Sequence, residues 1–218
     1  MDFRWDIIGV YAPFLLKGTL ATIGLSLVGI LIGTILGLLI GLGRMTKNKL
    51  LAIPLICYVS FFRGTPLFVQ ILIIHFGVVP SFTGETNALL AAIIALSLNS
   101  AAYIAEIFRA GIQSIDTGQM EGARSLGMTK GQAMRYVILP QAFKRMIPPL
   151  GNEFVILIKE SSIAAVIAAP ELMYWGRAMA SEYLRVWEPY LAAAVIYLVL
   201  TLTLSSLLNM LERRLEIK

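Results

Sequence analysis

A permanently charged side chain lies inside a long apolar segment of this sequence. Arg63 is followed by Gly64, Thr65 and Pro66, and long uncharged runs flank this stretch on both sides. A charge at the centre of a bilayer costs roughly 2.5–3.5 kcal/mol on insertion scales, so it normally faces a partner or a wet cavity. Glycine and proline also interrupt helices, and free backbone groups at that depth need protein or water around them. The stretch therefore predicts a broken helix beside a polar site.

Two other apolar segments carry polar residues at a similar depth. These residues are Ser97, Asn99, Lys159 and Glu160. Arg63 could bind a carboxylate, and Glu160 or Glu153 could bind an amino group, so together they would suit a zwitterionic amino acid. The alternative is that Arg63 pairs with Glu160 purely to hold two helices together.

Composition indicates a membrane protein. Of the 218 residues, 58% are hydrophobic and 14% charged, and the mean hydropathy is +0.79. A soluble domain is nearer half apolar and a quarter charged. The net charge of +5 gives no reason to expect a nucleic-acid partner, because membrane proteins concentrate Lys and Arg on their cytoplasmic side.

Five segments are long and apolar enough to be helices that span the lipid bilayer. The predicted spans are residues 18–43, 50–77, 87–107, 146–169 and 190–210, within one transmembrane domain covering residues 1–218. Twelve of the 18 Lys and Arg residues fall on the side of the C-terminus, where Arg213, Arg214 and Lys218 lie, and four fall on the other side. The positive-inside rule then places the N-terminus outside and the C-terminus in the cytoplasm.

Glycines form a regular stripe in the first predicted span. Gly29, Gly33, Gly37 and Gly41 recur every four residues, which places them on one face of a helix. Small residues at this spacing allow another helix to approach closely. We therefore expect a packing face, with a mobile seam as the alternative.

The segment 110–145 is too polar to span a membrane, and it carries the signals of two short helices. The expected capping boxes are Asp116 with Gln119 and Thr129 with Gln132. Gly127 can end the first helix in a left-handed conformation, and the second is expected to end before Pro140. The first helix could lie in a groove on another protein or rest on the membrane surface.

The stretch "EGARSLGMTKGQAMRYVILP" resembles the EAA motif of permease subunits of bacterial ABC importers. It departs from the family pattern at Gly122, where alanine is usual, and at Val137, where isoleucine is usual. The resemblance implies that this segment is a cytoplasmic coupling helix, which docks on an ATPase subunit and carries its motion into the membrane. The coupling residues that it implies are Glu121, Gly122, Ala123 and Gly127.

Other stretches extend the resemblance over most of the chain. "FLLKGTLATIGLSL", "FFRGTPLFVQ", "SLNSAAYIAEIFRAGIQSI" and "NEFVILIKESSIAAVI" are similar to permeases of polar amino-acid importers, and most similar to the arginine, histidine and lysine type. This implies the type I importer permease fold and a substrate pocket lined by Arg63, Thr65, Leu67, Gln70, Ser97, Asn99, Glu153 and Ser161. We expect Glu153 to contact a cationic substrate side chain.

The same resemblance implies a set of partners in the bacterial cytoplasmic membrane. They are a second permease copy, two ATP-binding cassette subunits and an extracytoplasmic substrate-binding protein, which we expect to meet the charged loop between spans four and five. The chain lacks a G-x-x-x-x-G-K-[ST] motif, so ATP and magnesium are expected on the ATPase subunits and no cofactor on this chain. An ion-driven secondary amino-acid transporter is the alternative, and no set of residues suggests an enzyme.

Overall fold

The computed structural model describes residues 2–214, and the elements within that range are helices. Lys218, counted above among the cytoplasmic cations, lies outside the described residues. The longest helices are α1 (Trp5–Arg44), α5 (Ala88–Gln113) and α10 (Trp187–Arg214), and each is long and apolar enough to cross a membrane. The predicted all-α fold class is confirmed.

The chain between α1 and α5 is broken where the sequence predicts. The helices here are α2 (Lys49–Gly64), α3 (Leu67–Ile73) and, after a π-helical turn at Ile74–Val78, α4 (Val79–Thr83). Thr65 and Pro66 are extended, since proline disfavours a helical residue before it, and the helix axis bends by 110° at the break. Counting this bent pair as one span gives four candidate spans by length and composition, so the five-span count stays a prediction.

The polar segment after α5 forms two short helices that run into a long one. They are α6 (Thr117–Ser125), α7 (Lys130–Ala133) and, after a second π-helical turn at Met134–Ile138, α8 (Leu139–Glu160), which ends in a 3₁₀ turn at Ser161–Ile167. The expected end before Pro140 is wrong. Pro140 lies in the first turn of α8, where a missing N–H is tolerated.

The predicted outer part of the molecule is more helical than expected. α9 (Leu172–Tyr183) forms within the predicted outer loop, and α1 begins at Trp5, well before Gly18. The extension of α1 packs with α9 and α10 in a buried cluster of apolar side chains, formed by Ile7, Tyr11, Leu15, Leu172, Met179 and Ala193. Burial of this cluster stabilises a helical start that includes charged residues.

The glycine stripe of α1 is a packing face. A Cβ atom on Gly37 would lie 2.7 Å from Cγ2 of Ile104 and 2.9 Å from the carbonyl oxygen of Ala101, both on α5. Such distances leave room only for hydrogen, so α1 and α5 approach closely along this line. The glycine stripe therefore serves for helix packing. The broken helix and α8 pack in turn against the pair formed by α1 and α5.

Candidate substrate site and coupling surface

The amide of Gln70 closes the backbone gap between α2 and α3. Its Nε2 donates hydrogen bonds to the carbonyl oxygens of Phe62 (2.9 Å) and Thr65 (3.0 Å) and to Thr65 Oγ1 (2.9 Å). Its Oε1 accepts a hydrogen bond from Nδ2 of Asn99 at 2.9 Å. Gln70 and Asn99 are both buried, and two carbonyl groups at the break are thus satisfied by protein, as membrane depth requires.

Three predicted substrate residues, Thr65, Gln70 and Asn99, thus lie together in one hydrogen-bonded cluster. The others are placed differently. Leu67 is buried in the apolar core, and Ser161 is buried with its hydroxyl donating to the carbonyl oxygen of Ile158 at 2.8 Å. The hydroxyl of Ser97 is buried without a hydrogen-bond partner among the described residues, so it is a polar group whose partner remains to be assigned.

Arg63 lies beside Glu106. Its Nη1 is 3.7 Å from Oε2 of Glu106, and its guanidinium lies 5.4 Å from the centre of the Tyr103 ring. The alternative in which Arg63 pairs with Glu160 is therefore not what the structure shows. The side chain of Arg63 is 41% exposed, so it can still reach a ligand.

Glu106 is a functional candidate that the sequence argument missed. Its carboxylate accepts a hydrogen bond from Nη1 of Arg44 at 2.8 Å and also binds Arg109. Three arginines from α1, α2 and α5 therefore surround one acid. The sequence contains the signal, because Glu106 falls inside the predicted span 87–107 and an acid within a membrane span is by default a functional-site hypothesis.

Glu153 is buried on α8 with 5% of its surface exposed. No cation lies within ion-pair distance of it in residues 2–214. A buried carboxylate without a cation beside it is costly, so a cationic ligand would relieve that cost. Asn152 and Lys159 are exposed and lie on another face of the same helix.

The predicted coupling residues divide between two faces of the α6 region. Glu121, Gly122 and Gly127 are exposed, and a Cβ atom on Gly122 would meet no atom within 4 Å. Ala123 is buried and faces the chain's own interior. Gly127 has a φ of 85°, the left-handed conformation that glycine adopts without strain. The exposed part is a smooth surface at which another protein could dock.

Caps hold α6 and α7 in place. Thr129 and Gln132 form the expected capping box. Asp116 caps α6 by accepting a hydrogen bond from the backbone N–H of Gly118, but the side chain of Gln119 does not complete a box. It accepts a hydrogen bond from Gln141 instead, at 3.3 Å, which links α6 to α8.

Several charged residues of the predicted outer loop, which we expect to meet a binding protein, form hydrogen bonds or ion pairs within the chain instead. Glu171 is fully buried and accepts hydrogen bonds from the Tyr197 hydroxyl at 2.6 Å and from backbone N–H groups of α9. Glu188 is also buried and pairs with Arg185. Glu182 accepts a hydrogen bond from Tyr11. Arg177 remains exposed, so the surface of the predicted outer loop carries fewer free charges than the sequence suggests.

Metal chemistry finds no support in the described part of the chain. Residues 2–214 contain no group of three or more His, Cys, Asp or Glu side chains that could hold a metal ion. Cys57 is exposed and unpaired by any disulfide within that range.

Comparison with known proteins gives one consistent family. A family model described as binding-protein-dependent transport system inner membrane component matches residues 33–217. The chain is 38% identical over 218 residues to the glutamine transport system permease protein GlnP of Escherichia coli K12, with full coverage of both chains. It is 41% identical over 207 residues to the arginine transport system permease protein ArtQ of Bacillus subtilis, covering 94% of this chain and 93% of that one.

One solved structure extends the likeness to three dimensions. It is described as the crystal structure of an amino acid ABC transporter with histidines. The two chains share 43% sequence identity and superpose with a TM-score of 0.93, over 98% of this chain and 100% of that one.

Proposed function

The chain belongs to the family of inner membrane components of binding-protein-dependent transport systems, and we propose that its substrate is a basic amino acid. It is a permease subunit of an amino-acid ABC importer, and it is not itself an enzyme. ATP hydrolysis therefore belongs to separate subunits, and this chain supplies part of the path through the membrane.

Glu153 is the observation that carries the choice of a basic substrate. Its buried carboxylate lacks a cation among the described residues, and a guanidinium, ammonium or imidazolium group would compensate it. The relatives named for glutamine and arginine are similar to this chain to nearly the same degree, 38% and 41%. Sequence identity therefore does not separate the two substrates, and the proposal depends on charge.

The remaining pocket residues are proposed to act around this charge. Arg63, half exposed at the end of α2, would bind the substrate carboxylate. Ser97 would offer its free hydroxyl. The cluster of Thr65, Gln70 and Asn99 would hold the broken helix in the shape that the pocket requires, while Leu67 and Ser161 pack behind it.

Coupling to the ATPase is proposed to run through the exposed face of α6. Glu121, Gly122 and Gly127 would contact the ATPase, and buried Ala123 would transmit the contact to the rest of the chain. ATP binding would close two ATPase subunits and swing the helices from inward-facing to outward-facing. Each ligand can drive this change only through its different affinity for the two states.

The assembly is proposed to contain two copies of this chain related by a two-fold axis. The exposed apolar side chains of α10, such as Leu198 and Leu202, would face lipid or the second copy. A substrate-binding protein would dock on the outer side, and the importer would lie in the bacterial cytoplasmic membrane with the N-terminus outside and the C-terminus inside.

Uptake into liposomes tests the proposal. We would reconstitute this chain with its ATPase subunit and substrate-binding protein, and compare arginine, lysine and histidine with glutamine, with and without ATP. Glu153→Gln should lower uptake of the basic substrate about tenfold or more, because a hydrogen bond to a charged group contributes roughly 1.5–3 kcal/mol.

Glu85→Gln serves as the control, since Glu85 is an exposed acid outside the pocket. Arginine uptake unchanged by Glu153→Gln in a folded complex would overturn the basic-substrate proposal. Uptake that ignored ATP and followed an ion gradient would favour the secondary transporter instead.

A further inference from the structure

We propose that Glu106 is a positioning residue that competes with the substrate carboxylate for Arg63. The inference rests on the proposed function, in which Arg63 binds that carboxylate. Glu106 would hold Arg63 while the site is empty, release it when substrate arrives, and take it back when substrate leaves.

Arg63 is the most weakly held of the three arginines around Glu106. Arg44 donates to Oε2 of Glu106 at 2.8 Å, and Arg109 donates to Oε1. Arg63 lies 3.7 Å from Oε2, which is beyond hydrogen-bond distance. Its side chain is 41% exposed, compared with 13% for Arg44 and 33% for Arg109. Arg63 is thus attracted to Glu106 without being fixed by it.

The charge balance of the cluster leaves room for another anion. One carboxylate faces three guanidinium groups, and both of its oxygens already accept hydrogen bonds from Arg44 and Arg109. Arg63 forms no hydrogen bond within residues 2–214, so its donors are free to form the two parallel bonds that a carboxylate accepts best. A substrate carboxylate therefore offers Arg63 a better partner than Glu106 does.

The position of Glu106 along α5 indicates on which side of the membrane the competition favours substrate release. Glu106 lies seven residues beyond Asn99 on the same helix, which is about 10 Å along its axis. In the proposed orientation, this displacement points towards the cytoplasm. When Arg63 returns to Glu106 it leaves the substrate carboxylate without its cation, and this favours release on the inner side.

Competition of this kind has a measurable consequence for affinity. If Arg63 is available for only a fraction of the time, the apparent dissociation constant is the intrinsic one divided by that fraction. Removing the Glu106 charge should therefore strengthen substrate binding. Removing Arg44 should weaken it, because Oε2 of Glu106 is then left to Arg63 alone.

Ligand binding to the permease–ATPase complex in nanodiscs tests this inference. The substrate-binding protein is left out because it makes its own selection among ligands. The ligands are the amino acid that the wild-type importer transports best and its α-carboxamide, which lacks the carboxylate. We expect Glu106→Gln to tighten binding of the acid about two- to fivefold and Arg44→Gln to weaken it by a similar factor, the range for partly exposed ion pairs. Binding of the carboxamide should not change in either variant.

A structural role for Glu106 predicts a different result. Both variants would then weaken binding, and they would affect the acid and the carboxamide alike, which would overturn the proposal. Arg63→Gln tests the premise separately. If that variant retains the preference for acid over carboxamide, the role assigned to Arg63 in the proposed function fails. If the preference is lost but Glu106→Gln and Arg44→Gln shift binding in the same direction, only the competition fails.

Discussion

Gln70 shows how a single side chain can make a broken helix possible inside a membrane. The break at Thr65 and Pro66 exposes carbonyl groups that would otherwise continue a helix. Gln70 donates to two of these groups and to Thr65 Oγ1, and it is itself held by Asn99. Since both donors and the acceptor of the amide are in use, its first role is to stabilise the break.

Replacing Gln70 with leucine should therefore lower stability as well as transport. Leucine is of similar size but leaves the carbonyl group of Thr65 without a donor and that of Phe62 with only the 3.4 Å hydrogen bond from Nδ2 of Asn99, at a cost of about 1–3 kcal/mol. For a domain of this size, that corresponds to a fall of several degrees in the thermal midpoint of the purified complex. Val69→Ala is the control because Val69 is exposed. Reduced transport with an unchanged thermal midpoint would instead indicate that Gln70 acts mainly by contacting substrate.

For individual residues, the sequence indicated which polar side chains lie close together but not which acid pairs with Arg63. Thr65, Gln70 and Asn99 were expected to share one site, and the structure brings them together. The partner of Arg63 could not be predicted, because the choice between Glu160 and Glu106 depends on how α2 crosses α5. Helix periodicity places side chains on a face but does not fix the angle between two helices.

At the scale of elements, the close packing of α1 on α5 positions the rest of the fold. Gly37 faces Ile104 and Ala101 across this interface, whereas a Cβ atom on Gly24 of the same helix would meet nothing within 4 Å. The two glycines thus offer a matched pair in one helix. Both lie in the helix interior, and only one of them is needed for the approach of a neighbour.

Gly37→Ala should destabilise the protein, and Gly24→Ala should not. The added methyl at position 37 would press on the backbone of α5, and overpacking of this kind costs typically 1–3 kcal/mol. At position 24, alanine gains roughly 0.5–1 kcal/mol of helix propensity. Thermal midpoints of the two variants in detergent measure the difference. Equal midpoints would mean that α1 can move away from α5 at no cost, as the mobile-seam alternative requires.

The elements themselves were predictable where local signals are strong. Gly64 and Pro66 predicted the break, the Thr129–Gln132 box predicted the start of α7, and Gly127 predicted the end of α6. The start of α1 at Trp5 and the presence of α9 were missed, because both depend on mutual packing in the outer apolar cluster. Such contacts join residues that are distant in the sequence, so the local sequence pattern of either segment does not predict them.

At the scale of the whole molecule, buried acids connect the helices at the proposed outer end. Glu171 joins α9 to α10 through Tyr197, and Glu188 at the start of α10 accepts a hydrogen bond from the backbone N–H of Arg4. These bonds connect the start of α1 to α10, and α10 to α9.

Two exposed leucines provide a direct test of the proposed orientation. Leu184 follows α9 and is 89% exposed, and Leu126 follows α6 and is 84% exposed. The positive-inside rule puts them on opposite sides of the membrane, with Leu184 outside and Leu126 in the cytoplasm. The single cysteine of the chain, Cys57, can be replaced by serine so that either site carries the only thiol.

In right-side-out vesicles, a membrane-impermeant maleimide should label Leu184→Cys but not Leu126→Cys, and after permeabilisation it should label both. The nearly equal exposure of the two sites means that a difference in labelling reports the side of the membrane rather than accessibility within the fold. The reverse pattern would invert the orientation and place α6 where no cytoplasmic ATPase could reach it. Labelling of both sites in sealed vesicles would contradict an odd number of spans between them, and with it the predicted course of α8 through the bilayer.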